Sequence, residues 1–323
     1  MNLSKNCELI IPSPGEVDFH EVEETPLSPY SLLVRTHLSG IRHGEDLPIF
    51  EGKSQSSIVR YPWVPQGWGV GEVVKVGNRV MRFAEGDWIF GPMRHRRMQA
   101  VEEKRAYLLE WIKKEFSVFT DPGVAALQCV HEAQIRYGDV TVFFGMGTVG
   151  LMAVQFALLS GAQTVIAVDP LPSRLQVAQR LGAHRTVADE WSPEILSRVE
   201  TAHPDGVDAV IELSGTDAAL RRATQPIRPG GALVAGGSRY GIQSLRAVRE
   251  HCDRSGIRFR LSAPREGTSR EEAVVIKSLN EKKVIVWPII TDTIPFESAS
   301  KAYQEIQSDP DHHIKVLLSY SSI

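Results

Sequence analysis

Cysteine is scarce in this chain: three in 323 residues, Cys7, Cys129 and Cys252. No two form a Cys-x-x-Cys pair, which leaves neither a disulfide framework nor a cysteine-rich zinc site, and a reducing cytoplasm is the expected compartment. Long apolar runs are also missing. None approaches the ~20 residues of a membrane span, and the opening MNLSKNCELIIPSPGE has no apolar core of a signal peptide. Charge of one sign is not concentrated either. The formal net charge is −3, with no long basic run, so neither nucleic acid nor an anionic membrane is the expected partner. Internal repeats and low-complexity segments are absent. The 42% hydrophobic and 23% charged content is that of an ordinary soluble globular protein, and the length suits two domains.

Residues 1–115 read as β-rich. SLLVRTHLS (31–39), GEVVKVG (71–77) and DWIFG (87–91) are short strand candidates separated by Gly- and Pro-bearing turns, as in a barrel or sandwich. In VPQGWGVGEVV (64–74), Gly67, Gly69 and Gly71 alternate around Trp68. Glycine at such spacing admits the close approach of another surface.

The middle of the chain alternates strand and helix. VTVFF (140–144), TVIAVD (164–169), TVA (186–188), DAVIEL (208–213) and ALVAGG (232–237) read as strands. PSRLQVAQRLGA (172–183), SPEILSRV (192–199) and TDAALRRATQPI read as helices, with RPGG (228–231) as a turn. The order is that of a doubly wound parallel sheet with helices on both faces, an α/β fold. In the tail, REEAVVIKSLN (270–280) and SASKAYQEI (298–306) read as helices, VIVWPII (284–290) and IKVLL (314–318) as strands. Periodicity does not decide whether the tail extends the parallel sheet or returns to the first domain.

Gly145-Met146-Gly147-Thr148-Val149-Gly150 is a Gly-x-Gly-x-x-Gly between a buried strand and an apolar helix, with Asp169 ending the next strand. Each part has a physical task in binding a dinucleotide. Gly145 makes the tight turn, Gly147 admits a pyrophosphate, and Gly150 lets the helix pack against the sheet. Helix N–H groups, those of Thr148 and Val149 among them, attract the phosphates. Asp169 is expected on the ribose hydroxyls and would repel a 2′-phosphate, which favours NAD over NADP. Arg174 is close enough to contact a ribose or a phosphate. The bland alternative is a ligand-free turn with Asp169 capping it.

Four stretches together resemble the medium-chain dehydrogenase/reductase superfamily of alcohol and polyol dehydrogenases: LSGIRHGEDLPIFEG (38–52), YPWVPQGWGVGEVVKVGNRVMRFAEGDWIFGP (61–92), YGDVTVFFGMGTVGLMAVQFA (137–157) and IELSGTDAAL (211–220). The resemblance implies a GroES-like β-rich catalytic domain over 1–117, a Rossmann NAD-binding domain over 118–265, and a segment 266–323 that returns to the catalytic domain. It places Ser214 and Gly236 at the cofactor as well, and it implies a homodimer formed through the Rossmann sheet edge at ALVAGG and IRFRLSA (257–263).

The same resemblance points away from a catalytic zinc. Relatives with the metal read SGICGSD, PGHEGVGEVV and EP in three of these regions. Here their cysteine falls on Arg42, their His-Glu pair on Gly67 and Trp68, and their acidic residue on Asp121. Zinc takes about three protein ligands and an open position; one ligand-type side chain is left. Trp68 then either fills the vacated space as a wall of the substrate pocket or simply packs in the core.

A zinc-free site still has to handle a proton and a developing oxyanion. The candidates, in order, are His43, His95, Arg42, Glu45 and Asp121. Each has an ordinary structural alternative: a solvated loop histidine, an exposed basic RHRR loop (94–97), or an Arg42–Asp121 ion pair standing in for the metal. Tyr240 either lines the nicotinamide end or packs. The expected activity is NAD(H)-dependent, zinc-independent interconversion of a secondary alcohol and a ketone on a small molecule such as a sugar, a cyclitol or a natural-product precursor. The alternatives are an enoyl- or quinone-type double-bond reductase and a nucleotide-binding sensor without catalysis.

Overall fold

A computed structural model of the chain describes residues 6–23, 26–54, 58–188, 204–237, 239–262 and 269–320. They fall into two compact units. One comprises Met1–Asp121, Ile276–Glu281 and Ile290–Ile323, the other Pro122–Val275 and Lys282–Ile289.

The first unit opens with an antiparallel pair, β1 (Cys7–Ile10) and β2 (Asp18–Glu21). Then come β3 (Ser31–Gly40), helix α1 (His43–Phe50), β4 (Gln66–Val76), β5 (Trp88–Arg94), β6 (Met98–Glu102), β7 (Tyr107–Leu108) and the short α2 (Lys114–Ser117). Strand β3 is central: it pairs with β4 along one edge and with β6 and the last strand of the chain along the other. The alternating glycines of β4 are explained by β3. A Cβ on Gly71 would lie 2.3 Å from the Arg35 carbonyl oxygen, on Gly69 3.0 Å from that of Leu38, and on Gly67 2.7 Å from that of Gly40. The surface that approaches these glycines is the neighbouring strand's own backbone.

Helix α3 (Thr120–Ala133) leads into the second unit, whose sheet is entirely parallel. Its strands are β8 (Val140–Phe144), β9 (Thr164–Val168), β10 (Arg185–Val187), β11 (Val207–Glu212), β12 (Ile227–Ala235) and β13 (Arg258–Leu261), in the order β10-β9-β8-β11-β12-β13. Helices α4 (Thr148–Leu159), α5 (Pro172–Arg180), α6 (Asp217–Arg222) and α7 (Ile242–Arg254) alternate with them, and α8 (Ser269–Asn280) follows β13. The core between strands and helices is Val, Ile, Leu and Phe, as continuous apolar strands buried on both faces require. The architecture is α/β: a GroES-like β-rich unit and a Rossmann-type parallel-sheet unit.

Three local expectations fail, and a fourth lies outside the described residues, the helix over 192–199. RPGG is no turn but part of β12: the register with β11 shifts between Val207 and Ala209, and Gly230 takes φ +78° within this irregularity. Helix α6 stops at Arg222, short of TQPI. VIVWPII forms no strand before Ile290. Val284, Val286 and Ile289 are buried, but the backbone of Ile285 is paired by a side chain instead of a neighbouring strand. Its N–H donates to Gln155 Oε1 at 2.6 Å, and Gln155 Nε2 donates to its carbonyl at 3.0 Å. After this, β14 (Ile290–Pro295), α9 (Ala299–Ser308) and β15 (Lys315–Ser319) complete the first unit, with β15 antiparallel to β3 and parallel to β14. Among the described residues no helix is long and apolar enough to cross a membrane.

Candidate functional site

The glycine-rich turn between β8 and α4 is held by backbone contacts. Gly145 has φ +89°, and a Cβ there would lie 2.5 Å from the Ser214 backbone nitrogen. At Gly150 a Cβ would meet the Gly145 carbonyl oxygen at 1.9 Å, so only glycine lets α4 start this close to the sheet. Gly147 is the N-cap of α4, followed by Thr148 and Val149, and has no side-chain cap. Beside it stands Arg174, whose Nη1 would be 4.0 Å from a Gly147 Cβ. Asp169 is buried at the end of β9. Its Oδ2 accepts from the Met146 N–H at 2.7 Å and its Oδ1 from the Leu171 N–H at 2.9 Å. The carboxylate thus braces the glycine turn while presenting negative charge beside it.

Two more strand ends meet this turn, and they are latched by a pair that sequence reasoning understated. Glu212, fully buried at the end of β11, accepts from the Ser214 N–H at 2.8 Å, from the Ser214 hydroxyl, from the Gly215 N–H at 3.2 Å and from the Tyr240 hydroxyl. Tyr240 Oη in turn accepts from the Gly237 N–H at 2.9 Å. Burial pushes the Glu212 carboxyl up, against the Ser214 and Tyr240 hydrogen bonds that favour its charge. A Cβ on Gly237 would be 2.3 Å from Gly215 Cα, and one on Gly236 2.6 Å from Cys129 Sγ. Tyr240 therefore packs and ties, and the hydroxyl of Ser214 is engaged by Glu212.

The first unit gathers charge. The Arg42 guanidinium bonds Glu45 at 2.5 Å and Asp121 at 3.2 Å. Its backbone N–H donates to Asp46 at 3.1 Å, at the start of α1 where carboxylates favour the helix dipole. Burial works against the Arg42 charge, but Asp121, Glu45 and Asp46 outweigh it and raise its pKa. Burial raises Glu45, with Arg42 opposing, and lifts Asp46 to about 7. His43 Nε2 accepts from the Val316 N–H at 3.3 Å, which ties α1 to β15. Lys315, absent from the candidates above, is buried in the same place: its Nζ donates to the Ile41 carbonyl at 2.8 Å, and burial pulls it down to about 8. Its signal in the sequence is a lysine opening an otherwise apolar strand, IKVLL. Asp46, next to Glu45, is likewise absent from the candidates; in sequence it is an acid in the first turn of α1 like any other.

His95 lies inside the same unit, fully buried, and the charges of Lys315 and Arg42 both act on it. Its Nδ1 is 2.7 Å from Ser39 Oγ, which is 2.9 Å from Tyr320 Oη. Ser39 and Gly40 are successive on β3 and face opposite sides of it, and Lys315 fills the space over Gly40. Burial, with the charges of Lys315 and Arg42 adding to it, holds the His95 pKa down at about 3, so it stays neutral inside the unit. The basic RHRR loop is likewise not free in solution: Arg96 bonds Glu8 and Arg97 bonds Glu297. Trp68 is buried by packing, its ring stacked on Tyr107 at 5.9 Å and tilted against Phe90 at 6.0 Å.

Both halves match family models. Residues 28–137 fit the alcohol dehydrogenase GroES-like domain and residues 148–258 the zinc-binding dehydrogenase domain. The chain belongs to the medium-chain dehydrogenase/reductase superfamily. D-guloside 3-dehydrogenase of Escherichia coli is 24% identical to this superfamily member over 351 aligned positions, 97% of this chain and 99% of that one. A probable zinc-binding alcohol dehydrogenase of Mycobacterium tuberculosis is 30% identical over 202 residues. That match spans 62% of this chain and only half the length of the mycobacterial protein. The solved structure of galactitol-1-phosphate dehydrogenase from Escherichia coli shares the fold, with a TM-score of 0.82 at 22% identity over 97% of this chain and 99% of that one.

Proposed function

We propose that this chain is an NAD(H)-dependent, zinc-independent oxidoreductase of the CH–OH donor class. It interconverts a secondary alcohol and a ketone on a hydroxylated molecule such as a sugar, a cyclitol or a natural-product precursor. Named relatives that act on polyols and glycosides support the reaction class. The turn at Gly145, Gly147 and Gly150, with Thr148, Val149 and Arg174 at the helix entry, supports a dinucleotide, and the carboxylate of Asp169 supports NAD over a 2′-phosphorylated form. Bound there, the nicotinamide supplies the hydride chemistry.

The observation that carries the zinc-free reading is the Arg42 guanidinium bonded to Asp121 and Glu45 where zinc-type relatives hold metal donors. These residues do not fit a metal. A cation already neutralises the carboxylates, a second cation, Lys315, lies beside them, and Gly67 and Trp68 offer no donor atom. No step is therefore routed through zinc. His43, next to Arg42 in sequence and with its Nε2 on the Val316 N–H, is the proposed proton carrier to solvent, while Arg42 and Asp121 act as a fixed ion pair.

A homodimer through the free edge of β13 is part of this reading. That strand pairs only with β12 among the described residues, and light scattering at micromolar concentration should give a dimer mass. The test of function is untargeted: the purified, metal-analysed protein is incubated with a metabolite extract, with NAD⁺ and separately with NADH, and masses are compared. A metabolite that loses two hydrogens with NAD⁺ while the protein holds no stoichiometric zinc is the expected result. Turnover that needs zinc would sink the zinc-free reading; addition of two hydrogens to a C=C bond would make the chain a double-bond reductase.

A further inference from the structure

We propose that Lys315 binds the reacting oxygen of the substrate, its ammonium supplying the positive charge that this oxygen needs. The assignment rests on the alcohol–ketone reading above and adds the residue that carries the charge.

A lysine on a buried strand is costly. Ordered strands hold Val or Leu there, and an ammonium taken out of water must be repaid by partners. Lys315 has three N–H donors, yet among the described residues it makes one hydrogen bond, to the Ile41 carbonyl at 2.8 Å. The rest of the donors have no hydrogen-bond acceptor among the described residues, although the charges of Asp121, Arg42 and Asp46 all act on the group. The fold also makes room for it. A Cβ on Gly40 would lie 2.9 Å from both Cε and Nζ of Lys315, so Gly40 and Lys315 form a matched slot and head. That slot adjoins Ile41 and Arg42, the first of the positions where relatives with zinc hold a ligand. A buried point charge with spare donors at this place suits an oxygen that becomes negative during reaction.

In the oxidative direction, the carbinol C–H bond breaks and its electron pair goes with the hydrogen to the nicotinamide of the dinucleotide. The O–H proton leaves by way of His43 to water, and the C–O bond becomes C=O. Negative charge rises on the oxygen as the O–H bond ionises, and the Lys315 N–H groups meet it without giving up a proton.

The test uses the alcohol identified by the metabolite experiment. In Lys315→Met, which keeps the volume and removes the charge, kcat should fall by about 100- to 1000-fold, the scale of losing one oxyanion donor. NADH affinity, read by its fluorescence, should stay within about twofold, since the ammonium does not serve the dinucleotide in this assignment. In Lys315→Ala, propylammonium, which replaces the deleted carbons and nitrogen, should restore turnover saturably, and sodium chloride at equal ionic strength should not. Gly40→Ala checks the same point without touching the lysine: it crowds out the ammonium head and should lower kcat in protein that melts cooperatively. Unchanged kcat in Lys315→Met overturns the assignment. A loss confined to NADH affinity also overturns it, because the ammonium would then meet the cofactor's phosphates. Wild-type protein that turns over no alcohol would instead defeat the underlying reading, which separates the two failures.

Discussion

The two units build polar sites by opposite means. In the parallel-sheet unit the site is backbone: glycines at strand ends, N–H groups, and two carboxylates, Asp169 and Glu212, spent on holding turns. In the β-rich unit the site is side-chain charge: Arg42, Glu45, Asp46, Asp121 and Lys315 converge from three separate parts of the chain. The difference teaches where tolerance lies. A backbone site fails when a Cβ is added, whereas a charge cluster fails when its balance is changed.

The sharpest break of this comparison is Gly145→Ala. The residue must leave φ +89°, at about 1–2 kcal/mol, and its Cβ would strike the Ser214 backbone at 2.5 Å, which cannot swing aside. NADH binding should weaken by about 100-fold or more, with an added loss of about 1–3 kcal/mol in urea unfolding. Gly147→Ala is the control, since its Cβ meets nothing nearer than Arg174 Nη1 at 4.0 Å. It should lose NADH affinity while its unfolding midpoint stays put. Equal stability loss in both variants would show that the turn is ordinary packing with no ligand role.

Legibility followed the same division. The dinucleotide turn could be read because every requirement falls within one strand–turn–helix, with Asp169 at a fixed distance, and backbone constraints write glycine into the sequence. The charge cluster was half legible. Arg42 and Asp121 surfaced because relatives carry metal ligands there, and their ion pair is present at 3.2 Å. Lys315 did not surface, because a lysine opening an apolar strand does not by itself say whether it points to solvent or folds over Gly40. The burial of His95 was not legible for the complementary reason: a histidine after a strand looks like a loop residue, and only the pairing of β3 with β15 and the Ser39 bond place it inside. VIVWPII read as a strand because it is a short apolar run; the competing partner, the Gln155 amide, lies far away in sequence.

A smaller effect sharpens the account of the backbone site. Tyr240→Phe removes the hydroxyl that joins the Gly237 N–H to Glu212, leaving a buried carboxylate with one donor fewer. The expected cost is about 1–3 kcal/mol in unfolding, with NADH affinity reduced roughly tenfold if the two turns it joins carry the cofactor. Affinity that is unchanged while stability falls would confine Tyr240 to packing.

The subtlest test concerns the balance of the charge cluster. Asp46 has its pKa raised by burial to about 7 from an ordinary 3.8, against the pull of Arg42. Between those values the folded state holds a proton that the unfolded state has released, so stability falls as pH rises from about 4 to 7 and is flat beyond. Lys315, lowered to about 8 from 10.5, acts in a separate window: there the unfolded state holds the extra proton, so stability rises from about 8 to 10.5. Asp46→Asn keeps an oxygen to accept the Arg42 N–H and removes only the first of these slopes. Its stability relative to wild type should therefore increase from pH 4 to pH 7, by up to about 4 kcal/mol, while the rise above pH 8 persists. A variant that tracks the wild type across pH 4–7 would mean that Asp46 stays ionised in the fold, with Arg42 and Lys315 offsetting its burial in full.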